Sequence, residues 1–187
     1  EMASPWTGLY VGGYVGHGSG DLHDADGFKL PREGYVGGGL IGYNHALPGV
    51  VIGLEADLGV SDISGSTNGA GFTVTGSNKA LGSIRARVGR PFGGSLMPYV
   101  TAGLAMQTGK LSVHDLGVKL SSSDENTKGY VFGGGVEMFP FASNLGLRLE
   151  ALRYQWVGQT YRIEDETSPK LNSHDTQVRA AVVVRLN

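Results

Sequence analysis

Cysteine is absent from all 187 residues. That excludes disulfide cross-links, cysteine-ligated zinc and a cysteine nucleophile. Charge is also sparse, at 17% of residues, against about 25% in ordinary globular chains. The net charge of −2 leaves no generally basic surface for nucleic acid. No apolar run exceeds the five residues at 180–184, so no helix of about 20 apolar residues can cross a bilayer. A helical period is missing as well.

Glycine is what the chain has in excess, 32 residues of 187, more than twice the usual ~7%. It has no every-third-residue period, which excludes collagen, and its density disfavours helix interiors. Aromatics make up 9% of the chain, too many for a disordered tract.

Eight segments alternate apolar and polar residues with a period of two: 6–16, 35–44, 50–60, 81–90, 98–108, 128–139, 145–156 and 176–187. Each is longer than the ~5–6 residues of a usual soluble strand and matches the ~9–11 of a tilted strand crossing a bilayer. The gaps between them run 18, 5, 20, 7, 19, 5 and 19 residues. The long gaps, 17–34, 61–80, 109–127 and 157–175, are polar. The short ones carry turn residues such as Pro48-Gly49, Pro91 with Gly93-Gly94, and Pro140. In an up-and-down meander, alternate connections lie at one end, so four long loops would crown one rim and three tight turns the other. That asymmetry belongs to transmembrane β-barrels. The expected fold is all-β: an eight-stranded antiparallel up-and-down transmembrane barrel, one domain over residues 1–187. Its four long loops would be extracellular and its three short turns periplasmic. An even strand number puts both termini on the periplasmic side of the outer membrane.

Within each segment the charges keep to one face. Glu55 and Asp57 oppose Ile52, Leu54, Ala56, Leu58 and Val60. Arg85 and Arg87 oppose Ile84, Ala86 and Val88, and Glu137 opposes Val136 and Met138. Arg148 and Glu150 oppose Leu145, Leu147, Leu149 and Ala151; Arg179 and Arg185 oppose Val178, Ala180, Val182, Val184 and Leu186. All five bases on this face are arginine and none is lysine. A planar fork that pairs bidentately with carboxylates suits a confined network better than a flexible ammonium does. These nine residues are therefore expected to face the lumen as a structural ion-pair network, because a charge isolated there costs several kcal/mol. The in-strand glycines make room for those side chains. The aromatics Trp6, Tyr35, Tyr43, Phe92, Tyr99, Phe139, Phe141, Tyr154 and Trp156 lie near segment ends, as interfacial girdles do.

Several stretches are similar to a known family. They are Trp6-Thr7-Gly8-Leu9-Tyr10-Val11-Gly12-Gly13, residues 37–44, Gly53-Leu54-Glu55-Ala56-Asp57, Arg85-Ala86-Arg87-Val88-Gly89, residues 98–103, Gly133-Gly134-Gly135-Val136-Glu137 and Leu147-Arg148-Leu149-Glu150-Ala151. Together they resemble the outer-membrane immunogenic proteins of alphaproteobacteria, small barrels related in architecture to OmpA and OmpX. The resemblance covers the strands and none of the long loops. It implies a scaffold and transfers no catalytic site.

Chemistry-bearing motifs are weak. Ser112, His114 and Asp115, or Ser173, His174 and Asp175, bring triad residue types together, but neighbours on a strand point to opposite faces. Residues 22–33 loosely resemble a calcium loop through Asp24, Asp26, Gly27 and Glu33, with Leu22 where an acidic first ligand belongs. His17, His23, His114 and His174 fall in long gaps, where solvated histidines are the ordinary case. No cofactor and no metal is expected. The long gaps hold twelve acids and seven bases, and the rest of the chain five acids and eight bases.

The expected function is that of a non-enzymatic outer-membrane protein, with an envelope role, no open pore, and loops that meet an external protein or host ligand. Its other partners would be outer-membrane lipids and lipopolysaccharide, and it would be a monomer. The alternatives are a rim receptor for haem, a metal or another small ligand, and a soluble lipocalin-like barrel with an apolar interior.

Overall fold

The computed structural model describes residues 6–23, 29–61, 73–76, 79–115, 118–140, 144–157 and 173–186. Alternation gives strands wherever the sequence showed it: β1 (Gly8–His23), β2 (Lys29–Leu47), β3 (Val50–Ser61), β5 (Lys79–Gly89), β6 (Leu96–Asp115), β7 (Val118–Met138), β8 (Leu145–Trp156) and β9 (Ser173–Arg185). A short extra strand, β4 (Thr73–Gly76), pairs with the far end of β6. The eight long strands pair antiparallel in chain order. The first and last meet from Tyr10↔Arg185 to Asp21↔His174, which closes the barrel.

Two of the expected long loops are largely strand. The β1–β2 ladder continues from Gly16↔Val36 up to His23↔Lys29, and β6 and β7 stay paired as far as Asp115↔Val118. Strands β1, β2, β6 and β7 therefore run to 16, 19, 20 and 21 residues. Beyond the bilayer neither face has to be apolar, so the period of two fades from the sequence while the backbone ladder persists.

The tight turns are local chemistry. Pro48 and Gly49 join Leu47 to Val50, with Gly49 at φ 80°. The β5–β6 turn places Gly93 at φ 57° and Gly94 at φ 77°, left-handed values that a side chain strongly disfavours. Phe92 and Leu96 close that turn through two backbone hydrogen bonds of 2.7 and 3.3 Å.

Strand β8 alternates without a break: Leu145, Leu147, Leu149 and Ala151 point out, Gly146, Arg148, Glu150 and Leu152 point in. The same inversion runs round the barrel. Leu58 is 76% exposed and Ile84 67%, whereas Arg85 is 0% exposed. Apolar side chains form the outer belt and charges the core, the reverse of a soluble barrel. Such a belt is far larger than the few hundred Å2 of contiguous apolar surface a soluble monomer tolerates.

The belt makes substitutions depth-dependent. Ile84→Arg, at mid-strand, should cost about 2–4 kcal/mol in lipid, and Val88→Arg, near the strand end, about 0–1 kcal/mol. Denaturant unfolding in phospholipid vesicles measures both; equal costs would mean the face does not meet hydrocarbon.

Candidate functional site: the ion-pair core of the lumen

Strand register sets the charges beside one another before any side chain reaches across. Glu55 on β3 is directly opposite Arg85 on β5, Glu137 on β7 opposite Arg148 on β8, and Glu150 on β8 opposite Arg179 on β9. The side chains then span the barrel. Arg148 Nη1 reaches Glu55 Oε2 at 2.6 Å, while its Nε and Nη2 donate to Glu137 Oε2 at 2.9 and 2.6 Å. Arg85 binds Glu55 Oε1 at 2.5 Å and Glu150 Oε2 at 3.3 Å. Arg87 Nη2 donates to Glu137 Oε2 at 3.0 Å, and Arg179 Nη1 to Asp57 Oδ1 at 3.3 Å.

Hydroxyl groups and one amide add to the coordination of Glu55, Asp57, Glu150, Arg87 and Arg179. Tyr10 donates to Glu55 at 2.7 Å and accepts from Arg87 at 3.0 Å. Tyr99 donates to Glu150 at 2.8 Å, Tyr14 and Ser83 donate to Asp57, and Tyr154 accepts from Arg179 at 2.6 Å. Gln177 Oε1 takes the Nε and Nη2 of Arg179 at 3.1 and 2.8 Å. Tyrosine rings also cover the guanidinium faces, Tyr99 at 4.0 Å from Arg87 and Tyr14 at 4.3 Å from Arg179. Tyr10 and Tyr14 need an empty position next door: a Cβ on Gly42 would sit 2.3 Å from the Tyr10 ring, and one on Gly59 2.3 Å from the Tyr14 oxygen. Glycine thus makes space for tyrosine as much as for arginine.

Four carboxylates and four guanidinium groups, all nearly inaccessible to solvent, form this neutral cluster. Apolar layers bound it. Trp6, Val51, Met97, Phe139 and Val183 lie toward the tight turns, with Trp6 edge-on to Phe139 at 5.3 Å. Leu81, Ala105, Val131, Leu152 and Trp156 lie toward the other rim, with Tyr154 stacked on Trp156 at 5.6 Å.

Eight of the nine residues expected in the lumen network are brought together. Arg185 is not at their level. It shares the inward parity but sits beyond Val183 at the end of β9, half-buried, with its guanidinium 3.9 Å from the Phe139 ring centroid. Parity sets a side chain's face, whereas depth depends on strand stagger.

The expected aromatic girdles need a larger correction. Trp6, Tyr99, Phe139, Tyr154 and Trp156 are buried in the interior. Tyr35, Tyr43 and Phe92 do face outward, joined by Tyr130 and Phe132; Phe141 lies outside the described residues. The missed signal was again parity, since Tyr99 alternates with Val100 and Tyr154 shares a face with Arg148 and Glu150.

The weaker motifs gain little. Of the calcium-like stretch, residues 22–23 and 29–33 are paired strand, and Asp24, Asp26 and Gly27 lie outside the described residues. Asp175 Oδ2 accepts the Trp156 indole N–H at 2.8 Å. Among the described residues no group of three or more His, Asp or Glu could hold a metal ion. His17 is exposed, edge-on to Tyr35 at 5.6 Å.

Comparisons with known proteins agree with this architecture. The family model for the outer membrane protein beta-barrel domain matches residues 2–183. A 22 kDa outer membrane protein of Rhizobium leguminosarum bv. viciae is 34% identical over 183 residues, covering 91% of this chain and 78% of that protein. A 31 kDa outer-membrane immunogenic protein of Brucella melitensis is 31% identical over 198 residues, covering 92% of this chain and 81% of that protein. Among solved structures, Neisserial surface protein A has the same fold, with a TM-score of 0.59 at 15% identity over 100% of both chains.

Because Glu137 Oε2 alone takes three guanidinium donors, Glu137→Gln should cost about 3–5 kcal/mol, the penalty for stranding buried charge. Arg185→Gln, at the half-open end, should cost about 1 kcal/mol or less. Unfolding in vesicles compares them; a larger loss at Arg185 would move the centre of the network to the rim.

Proposed function

Because the chain belongs to the outer membrane protein β-barrel domain family of the Gram-negative outer membrane, we propose that it is a closed, non-enzymatic barrel with an envelope role, whose rim presents surface for external contacts. The carrying observation is the neutral cluster of four acids and four arginines packed between two apolar layers. An eight-stranded lumen is just wide enough for side chains to fill. Ions entering it would have to displace guanidinium–carboxylate pairs that are already desolvated. The same engagement argues against catalysis. Glu55, Asp57, Glu137 and Glu150 are each held by at least two donors, which leaves none of the four poised to exchange a proton with a substrate.

The tight turns share one end of the barrel with Trp6 and Leu186, the first and last described residues, and in this reading that end is periplasmic. The residues beyond the belt at the other end face outward, where an external protein or host ligand would meet them. Relatives named as immunogenic support surface display. Closure of β1 on β9 leaves no unpaired strand edge in the bilayer, which favours a monomer surrounded by lipid and lipopolysaccharide. A lipocalin-like barrel would require an apolar interior and a polar exterior, the opposite of what the faces present.

Single-channel recording in planar bilayers tests the seal. The wild type should show no stable open current, and Arg148→Ala, which removes a guanidinium bridging β8 to β3, should raise the frequency of openings. Large steady currents from the wild type would overturn the closed reading. Protease treatment of intact cells tests orientation: cleavage within 62–70 with protection at 48–49 is expected, and the reverse would invert the barrel.

A further inference from the structure

Among the strand cations whose side chains are described, Arg85, Arg87, Arg148, Arg179 and Arg185 point inward, and Lys128 and Arg153 point to the lipid. Lys128 on β7 and Arg153 on β8 are both exposed on the outer face. None of the ion pairs among the described residues includes either one. Strand register places them on adjoining strands. Arg153 is opposite Phe132, and Gln155 is opposite Tyr130. The backbone oxygen of Lys128 accepts from Val157 N at 3.0 Å, one step further out. An arginine, an amide, a lysine and two outward aromatic rings therefore share one patch at the upper edge of the apolar belt. Tyr130 is 57% exposed and Phe132 43%.

The strands that flank the patch add no third lysine or arginine to it: Met106 and Leu104 on β6 are opposite Lys128 and Tyr130, and Thr176 and His174 on β9 are opposite Arg153 and Gln155. Arg153 also lies level with lipid-facing Phe132, where a cation is tolerated only if its head reaches a polar or anionic partner. Two cations suit phosphate, an exposed phenol ring suits the apolar face of a sugar, and a glutamine amide suits its hydroxyls.

We propose that Lys128, Tyr130, Arg153 and Gln155 form a docking site for the phosphorylated sugar headgroup of an outer-leaflet glycolipid. The site rests on the membrane reading given above and names which lipid chemistry the barrel's outer face selects. The lipid's acyl chains would continue down the belt over Phe132 and Val178, so headgroup and chains are held by one continuous surface.

The full chain is folded into phosphatidylcholine nanodiscs, and retention of bisphosphorylated lipid A is measured against its dephosphorylated form by native mass spectrometry. The wild type should prefer the phosphorylated lipid. K128Q and R153Q should each weaken that preference about fivefold, and the pair about 25-fold, the usual contribution of basic side chains at an anionic surface. R90Q, a cation beside the opposite turns, should leave it unchanged. Unchanged preference in the double variant, equal retention of the dephosphorylated lipid by the wild type, or displacement by an equal concentration of inorganic phosphate would overturn the proposal. Far-UV circular dichroism and heat-modified migration establish that each variant is folded. A wild type that fails to enter nanodiscs would overturn the membrane reading itself. Both faces of a nanodisc carry the same lipid, so the result does not depend on orientation.

Discussion

In hydrocarbon every backbone amide must find its partner within the protein, because no water is present to take its place. A sheet meets that demand only by closing, and here closure falls on the β1–β9 ladder from Tyr10↔Arg185 to Asp21↔His174. The rest of the structure follows from it. Once the ladder is a cylinder, every strand residue points either to lipid or to the lumen. A one-residue slip would exchange the two sets completely. Leu145, Leu147 and Leu149 would then fill the lumen while Arg148 and Glu150 met acyl chains. The register is fixed by the large free-energy difference between those two arrangements.

The lumen of so small a cylinder has to be filled, and charged groups are an unusual filling. Buried ion pairs add little net stability against well-packed apolar side chains of similar size. Their value here is better sought in alignment. Glu55–Arg85, Glu137–Arg148 and Glu150–Arg179 are each directly cross-strand, so each fixes one strand pair. The links of Arg148 to Glu55 and of Arg179 to Asp57 then tie distant walls of the cylinder together. Arginine suits both tasks at once, since one fork serves a neighbour and a partner across the lumen. Lysine, a point charge on a flexible stem, would fix neither direction.

How far the sequence disclosed this depends on which physical rule each feature obeys. Face is a matter of parity, and parity is legible: Glu55, Asp57, Arg85, Arg87, Glu137, Arg148, Glu150 and Arg179 all fall on the inward set. Depth is a matter of stagger between strands, which no single strand records, and so Arg185 was grouped with residues it lies beyond. The tyrosines were legible in principle. Read by position along the strand, Tyr99 and Tyr154 resemble a girdle; read by parity, they belong with the charges they hydrogen-bond. The outer hairpins left no trace, because a strand wetted on both faces has no reason to alternate. Strand β4 is hidden for the same reason.

The electrostatics of the two surfaces are decoupled by this arrangement. Four acids against four arginines leave the lumen without net charge, so its charges project little field beyond the wall. The long polar gaps carry twelve acids and seven bases, and at physiological ionic strength such charges are felt over only about 8 Å. Attraction to anionic lipid must therefore be local, supplied by cations standing at the belt's edge rather than by the overall charge of −2. A barrel with acidic polar gaps can thus still present cations at the edge of its apolar belt. Lys128 and Arg153 need no internal partner for that, and neither contributes to the core that holds the cylinder together. Recognition at the lipid surface can then change by substitution there, while the register-setting pairs inside remain untouched.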